Sequence, residues 1–401
     1  MEIDTAGFDD RRLERITDHL AERYVRPGKL AGCQALVSRL GRVAYFQSFG
    51  CADLERGVPV RDDTIWRIYS MTKPITSVAL MSLCERGLLQ LSDPVHRYIP
   101  EWKGMRVCEV TSEGSRLVEA DRPASVRDLL THTSGLTYGG DPTHPVDQLY
   151  GQAGLRDADV DLAELAGRLG GLPLKFQPGT AWHYSFATDV CGRLVEVISG
   201  QRFGDYLRET IFEPLGMADT GFAVPEGAGD RFAANYQRGD DGTLEVVDDP
   251  ATSVYLAPRA MQSGGGGLVS TTGDYLRFCE MLRRGGELDG SRILGSRTLR
   301  YMTVNHLPGG ASMTDVALGR FGETGFAGVG FGLGFAVTLD PVASQTVGSP
   351  GEYYWGGAAS TTFWLDPVED LIVIFMTQFM PSGTFNFGGQ LRQLVLQAIV
   401  D

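Results

Sequence analysis

The sequence predicts a mixed architecture: an α/β unit with an antiparallel sheet flanked by terminal helices, plus a largely helical insertion. Three observations lead there. Strand-like runs lie near both ends of the 401-residue chain, at 33–50 and 333–378. Amphipathic stretches open and close it, at 8–23 and 388–400. Between about 92 and 258, helical segments alternate with loops rich in Pro and Gly. Residues 1–75 and 260–401 are therefore assigned to the α/β part and 76–259 to the helical part. An active site is expected in the cleft between them.

Each element has its own signal. In Phe8 to Arg23, Leu13, Ile16 and Leu20 recur at helical spacing. "CQALVSRL" and "RVAYFQSFG" meet at Gly41, a hairpin signal. A helix is expected from about Ser70 to Arg86, closed by Gly87, with Ile75, Val78, Leu80, Met81 and Leu83 on its packed face. "SVRDLLTHTSGL" predicts a short helix capped by Ser125 and closed near Gly135. "ATDVCGRLVEVISG" is a helix ending at Gly200, and "FGDYLRETIFEPLGM" one stopped by Pro214. A glycine loop at Gly264 to Gly267 feeds a helix near Thr272. "LGFAVTL", "AASTTFWL" and "DLIVIFMTQ" read as strands, and "GGQLRQLVLQAIV" as a closing helix.

Composition narrows the function. Hydrophobic residues make up 43% and charged residues 21%, as expected of a globular protein with a sizeable core. No apolar run approaches the roughly 20 residues that a spanning helix requires. The N-terminus lacks the basic and apolar regions of a secretory signal, so a cytoplasmic location is expected. The net charge of −14, with no basic run, disfavours nucleic acid and anionic membranes as partners. The six cysteines form no CxxC pair and the six histidines no HExxH cluster. Reduced, mostly buried thiols are expected, with no metal and no cofactor.

The chemistry begins at "IYSMTKP". Ser70 and Lys73 lie three apart, which places both on one helix face. Pro74 is tolerated only in a first helical turn, so Ser70 sits near a helix N-terminus. A serine nucleophile requires a group to take its proton. No G-x-S-x-G elbow exists to supply the histidine solution. Taken alone, S-x-x-K more often marks a helix cap followed by a solvated charge. The chain argues for more: it has 36 Lys and Arg, yet only four lysines, Lys29, Lys73, Lys103 and Lys175. Lysine can release its proton at accessible pH and arginine cannot. Ser70 is also the only serine with a lysine three positions on.

Two further stretches carry candidate chemistry. In "QPGTAWHYSF", Tyr184 follows a Pro-Gly turn and precedes a helix, which suits a phenol in a cleft or an ordinary packed tyrosine. In "YYWGGAASTTFW", Gly356 and Gly357 head a strand and permit close approach of a ligand to the backbone, or else mark a bulge. The N–H of Ala358 would then be placed to donate to an oxyanion.

Together, S-x-x-K, then Y-S-x, then a glycine-containing strand triplet resemble the serine β-lactamase and penicillin-binding superfamily. The resemblance spans nearly the whole chain through "LLTHTSGL", "FQPGTAWHYS", "EPLGMADTGF" and "SGGGGLVSTTGDYLRF". It is nearest to class C β-lactamases and to their esterase relatives, the family VIII carboxylesterases. It implies a β-lactamase-like fold. It also implies roles: Ser70 as acylated nucleophile, Lys73 as proton acceptor or tuner, and Tyr184 as the activating phenol. The N–H groups of Ser70 and Ala358 would form the oxyanion hole, and Trp355 would shape the acyl or alcohol pocket.

The departures bear on substrate. Class C β-lactamases carry Tyr-x-Asn and Lys-Thr-Gly; this chain has Tyr184-Ser185-Phe186 and Trp355-Gly356-Gly357. An aromatic ring replaces the amide and no charge stands on the strand. The resemblance then implies a carboxylesterase for short- to medium-chain acyl esters, with weak or no β-lactamase activity. The alternatives are an acyltransferase using the same acyl-enzyme, a β-lactamase or D-amino-acid peptidase, and a non-catalytic binding protein. His132 and His183 are assigned no catalytic role: His132 a structural one, His183 a loop position facing solvent.

Overall fold

The computed structural model describes residues 6–112, 114–157, 159–319 and 326–400. An eight-stranded antiparallel sheet organises the chain. Across the sheet its strands run Val329–Phe331, Ala336–Thr338, Tyr353–Gly356, Thr362–Asp366, Leu371–Thr377, Gly32–Arg39, Arg42–Asp53 and Val58–Pro59. The two ends of the chain meet at its centre, where Gly32–Arg39 pairs with Leu371–Thr377. The hairpin at Gly41 forms as expected, with Leu40 at φ 54° and Gly41 at φ 74°. Two consecutive positive φ values suit the twist of a two-residue hairpin turn.

Leu371–Thr377 is apolar at nearly every position because both sheet faces are covered. Leu371, Val373 and Phe375 pack on one face with Leu13, Ile16 and Leu20 of the first helix (Asp10–Leu20) and with Leu391 and Val395 of the last (Phe387–Leu396). Ile372, Ile374 and Met376 face the other way, into a core shared with Ile75, Val78, Tyr275 and Phe278. The period of two along the strand thus divides one apolar run between two cores.

Several expectations require correction. The helix at the S-x-x-K motif is not amphipathic: every residue from Thr72 to Met81 is buried. It begins as a short 3-10 turn, Tyr69–Met71, and continues as an α-helix over Thr72–Glu85. The three-residue strand Val329–Phe331 has no counterpart in the sequence reading, and the expected glycine-containing strand at Trp355–Gly357 lies at Tyr353–Gly356. The stretch read as largely helical also holds a hairpin, Arg106–Thr111 with Gly114–Glu119, and the strands Asn235–Arg238 and Leu244–Asp248. Those strands are mostly exposed and polar, so they carry little hydrophobic signal. Pro214 lies in the last turn of a continuous helical run, Phe203–Leu215, that passes through a π-type turn at Arg208–Phe212, and Gly216 at φ 65° closes it. The helix capped by Ser125 ends at Leu130, well short of Gly135.

Candidate active site

Ser70 is held from three sides. The short strand Trp66–Arg67 pairs with Val269–Ser270, and the Ile68 N–H donates to the Leu268 carbonyl at 3.1 Å. Tyr69 then takes a left-handed conformation, φ 42°, which a residue with a β-carbon rarely adopts. Its hydroxyl accepts from Asn235 Nδ2 at 3.1 Å. This twist sends the chain directly into the 3-10 turn that carries Ser70.

The spacing of three brings the pair together: Lys73 Nζ donates to Ser70 Oγ at 3.2 Å and to the Gly265 carbonyl at 2.6 Å. Lys73 is only 1% exposed. Its ammonium lies over the Tyr184 ring, 4.3 Å from the centroid, a cation–π geometry. The Tyr138 ring is next, at 5.6 Å. Among the described residues no carboxylate lies within ion-pair distance of Lys73.

Tyr184 precedes the helix Ala187–Ser199 and packs within an aromatic group. Its ring stacks on Trp182 and contacts His132, Tyr138 and Trp355 at centroid distances of 6.0, 5.0, 5.4 and 5.4 Å respectively. Trp355 Nε1 donates to the Tyr184 hydroxyl at 3.1 Å. Trp355 therefore binds the phenol directly, a contact that spacing along the chain gave no means of finding. Phe186 is buried, edge-on to Tyr138 at 4.7 Å, with the Arg156 guanidinium 5.4 Å from its ring.

The two glycines act differently from expectation. They end the strand Tyr353–Gly356 and do not head one. A β-carbon on Gly357 would lie 2.6 Å from the Ile68 carbonyl oxygen and 2.2 Å from Thr361 Oγ1. The bare backbone here lets the strand end approach the residues just before Ser70. The Gly357 N–H is bonded to the Thr361 carbonyl at 2.8 Å, whereas the Ala358 N–H has no intramolecular acceptor among the described residues.

Both histidines are packed. His132 is buried at φ 56°, with Nδ1 3.3 Å from Ser185 Oγ and Nε2 3.4 Å from Thr188 Oγ1. Burial, then the charge of Lys73, hold its pKa well below the usual imidazole range. His183 is half-buried and not solvent-facing; its Nε2 lies 3.1 Å from Thr137 Oγ1. Burial lowers it to about 4. Burial also pushes the Tyr138 phenol well up, with the neighbouring Asp189 adding to the effect.

Sequence reasoning missed Gly265, Tyr138 and Asp189. Asp189 stands in the first turn of its helix, where an acidic residue ordinarily reads as a complement to the helix dipole. No group of three His, Cys, Asp or Glu side chains suited to a metal ion occurs among the described residues. All six cysteines are free thiols, and Cys33, Cys108, Cys191 and Cys279 are buried. No helix among the described residues is long and apolar enough to cross a membrane.

Comparison with known proteins places this geometry in a family. Protein Rv1367c of Mycobacterium tuberculosis is 36% identical over 362 residues, covering 88% of this chain and 87% of that one. Esterase EstB of Burkholderia gladioli is 33% identical over 406 residues, covering 95% of each. The structure of EstCE1, described as a hydrolase with promiscuous acyltransferase activity, superposes with a TM-score of 0.80 at 28% identity. That match covers 96% of this chain and 99% of EstCE1. The Beta-lactamase family itself matches residues 16–397, so the chain belongs to the β-lactamase family, whose fold it has and whose members include esterases and acyltransferases.

Proposed function

We propose that this protein is a serine carboxylesterase that cleaves short- to medium-chain acyl esters through an acyl-enzyme on Ser70. The observation that carries the reading is the contact of Lys73 Nζ with Ser70 Oγ at 3.2 Å, inside an otherwise aromatic site. Ser70 Oγ attacks the ester carbonyl and passes its proton into the Lys73–Tyr184 pair. The carbonyl oxygen becomes an oxyanion that accepts from the N–H groups of Ser70 and Ala358. The C–O bond to the alcohol then breaks, and the alcohol leaves with the proton. Water repeats the sequence on the acyl-enzyme, freeing the acid and Ser70. Donation from Trp355 to the Tyr184 oxygen supports a phenol that gives and regains its proton.

An uncharged Trp355 and a buried Phe186 favour neutral esters over anionic β-lactams. With Gly356 and Gly357 they are assigned to substrate binding. On this reading the site lies in the cleft between 76–259 and the remainder of the chain. No metal or cofactor takes part in this reading.

The test is hydrolysis of p-nitrophenyl butyrate by wild type and Ser70→Ala. We expect a loss of at least about 10⁴-fold with folding intact; wild-type turnover by the variant would defeat the assignment. A reactive-serine probe should add its mass at Ser70, and no adduct would favour a binding protein instead. EstCE1's acyltransferase activity supports a second reading, transfer of the acyl group to an alcohol. An added alcohol that raises turnover and yields a new ester would favour it. Nitrocefin turnover should be weak or absent.

A further inference from the structure

The glycine loop that receives Lys73 is pinned from two helices. On the helix Thr72–Glu85, Thr76 Oγ1 donates to the Gly264 carbonyl at 2.8 Å, and Thr72 Oγ1 accepts from the Leu268 N–H at 3.2 Å. On the helix Ala187–Ser199, a single side chain does the holding. Asp189 Oδ1 accepts from Ser263 Oγ at 2.5 Å and from the Gly265 N–H at 3.0 Å. Gly265 is the residue whose carbonyl accepts from Lys73 at 2.6 Å. The fit is close: a β-carbon on Gly265 would stand 2.5 Å from Asp189 Oδ2 and 2.9 Å from the Tyr138 hydroxyl.

We propose that Asp189 is a positioning residue for the reaction, fixing the Lys73 ammonium against Ser70 by clamping the Ser263–Gly265 loop from the helix that Tyr184 precedes. This rests on the assignment of Ser70 and Lys73 above. A carboxylate 3% exposed is costly to desolvate, and a helix-dipole role would not require burial. Its two donors and its proximity to Lys73 offset that cost. Burial raises the Asp189 pKa; Lys73, Ser263, the Gly265 N–H and Arg156 act in the opposite direction. The titratable groups facing it are Lys73, Tyr138, Arg156 and Cys191. The arrangement ties the helix that Tyr184 precedes to the loop that receives Lys73, adding a polar link to the direct packing of that helix on Thr72–Glu85.

The test compares Asp189→Asn and Ser263→Ala with wild type, using p-nitrophenyl butyrate across pH 5–10 and thermal unfolding. Asp189→Asn keeps an acceptor oxygen but removes the charge. Its kcat should fall about 30-fold with KM little changed, and the ascending limb of the kcat/KM profile should move down by roughly one pH unit, since a negative charge near the base is lost. Ser263→Ala keeps the charge and loosens the clamp. Its kcat should fall about 3- to 10-fold with no movement of that limb. An Asp189→Asn enzyme that is less heat-stable but has wild-type kcat and an unmoved limb would overturn the proposal. If that variant does not fold, wild-type kcat in Ser263→Ala overturns it. The Ser70→Ala control separates the two readings: residual full activity there defeats the nucleophile assignment, whatever Asp189 does.

Discussion

Two buried cations stand six residues apart, and they are held in opposite ways. Arg67 is fully buried and fully committed: Asp248 Oδ2 at 2.6 Å, the Ala233 carbonyl at 2.5 Å, Ser253 Oγ at 3.2 Å and Gln378 Oε1 at 3.3 Å. The Phe232 ring covers its guanidinium at 3.8 Å. Lys73 is equally buried but has a carbonyl, a hydroxyl and an aromatic face in place of a bonded carboxylate. A planar guanidinium with a direct counter-ion locks segments together. At Lys73 the nearest carboxylate among the described residues is one residue away, reached through Gly265, so no direct ion pair fixes the nitrogen; on the proposed reading it can take up the Ser70 proton and return it. Lysine does not by itself mark a mobile charge, since Lys175 is tied directly to Asp147 at 2.7 Å; the distinction at Lys73 is the lack of such a partner among the described residues.

Replacing each cation breaks the comparison most sharply. Lys73→Met should lower kcat/KM by about 10³-fold while the unfolding midpoint stays near wild type. Equal losses of activity and stability would make Lys73 structural. Arg67→Met should do the reverse. Asp248 and the carbonyl of Ala233 lose their donor, so stability should drop by about 3–5 kcal/mol in chemical denaturation. The folded fraction should keep near-normal kcat; a kcat loss without destabilisation would contradict the structural assignment. Lys73→Arg sharpens the contrast further, since it retains charge without a releasable proton, and we expect it to be nearly as inactive as Lys73→Met.

Smaller effects probe the aromatic shell around Tyr184. Trp355→Phe keeps the ring and removes the N–H that reaches Tyr184, so kcat should fall about tenfold. An unchanged kcat would reduce Trp355 to a pocket wall. The smallest effect concerns His183. Its folded-state pKa, about 4, lies below the ordinary value of 6.5, so the unfolded chain takes up the proton first as pH falls. Its stabilising contribution is present above pH 6.5 and declines between 6.5 and 4. Wild type should therefore lose more thermal stability than His183→Gln over that interval. Parallel losses would show that His183 titrates normally.

Legibility followed the range of the interaction. The S-x-x-K pair was readable because three residues span less than one helical turn, and local geometry then delivers a 3.2 Å contact. The central hairpin and terminal helices were readable from apolar period, because each buries a defined face. The edge strand Val329–Phe331 was not, since so short a run carries too little pattern, and Tyr353–Gly356 was legible only as a strand triplet around its glycines. The helix after Ser70 seemed one-faced in sequence, although it is buried on every side.

By itself, then, the sequence determined the motif order, the choice of lysine at 73 and the alternation that builds the sheet. These depend on residue type and on neighbours within a turn or a strand. Tertiary structure alone decided that Gly265 offers its carbonyl to Lys73, that Asp189 holds Gly265, and that Trp355 donates to Tyr184. Those partners lie 192, 76 and 171 residues apart. Hydrogen bonds reach only about 3 Å, and no local pattern encodes which distant backbone will arrive there.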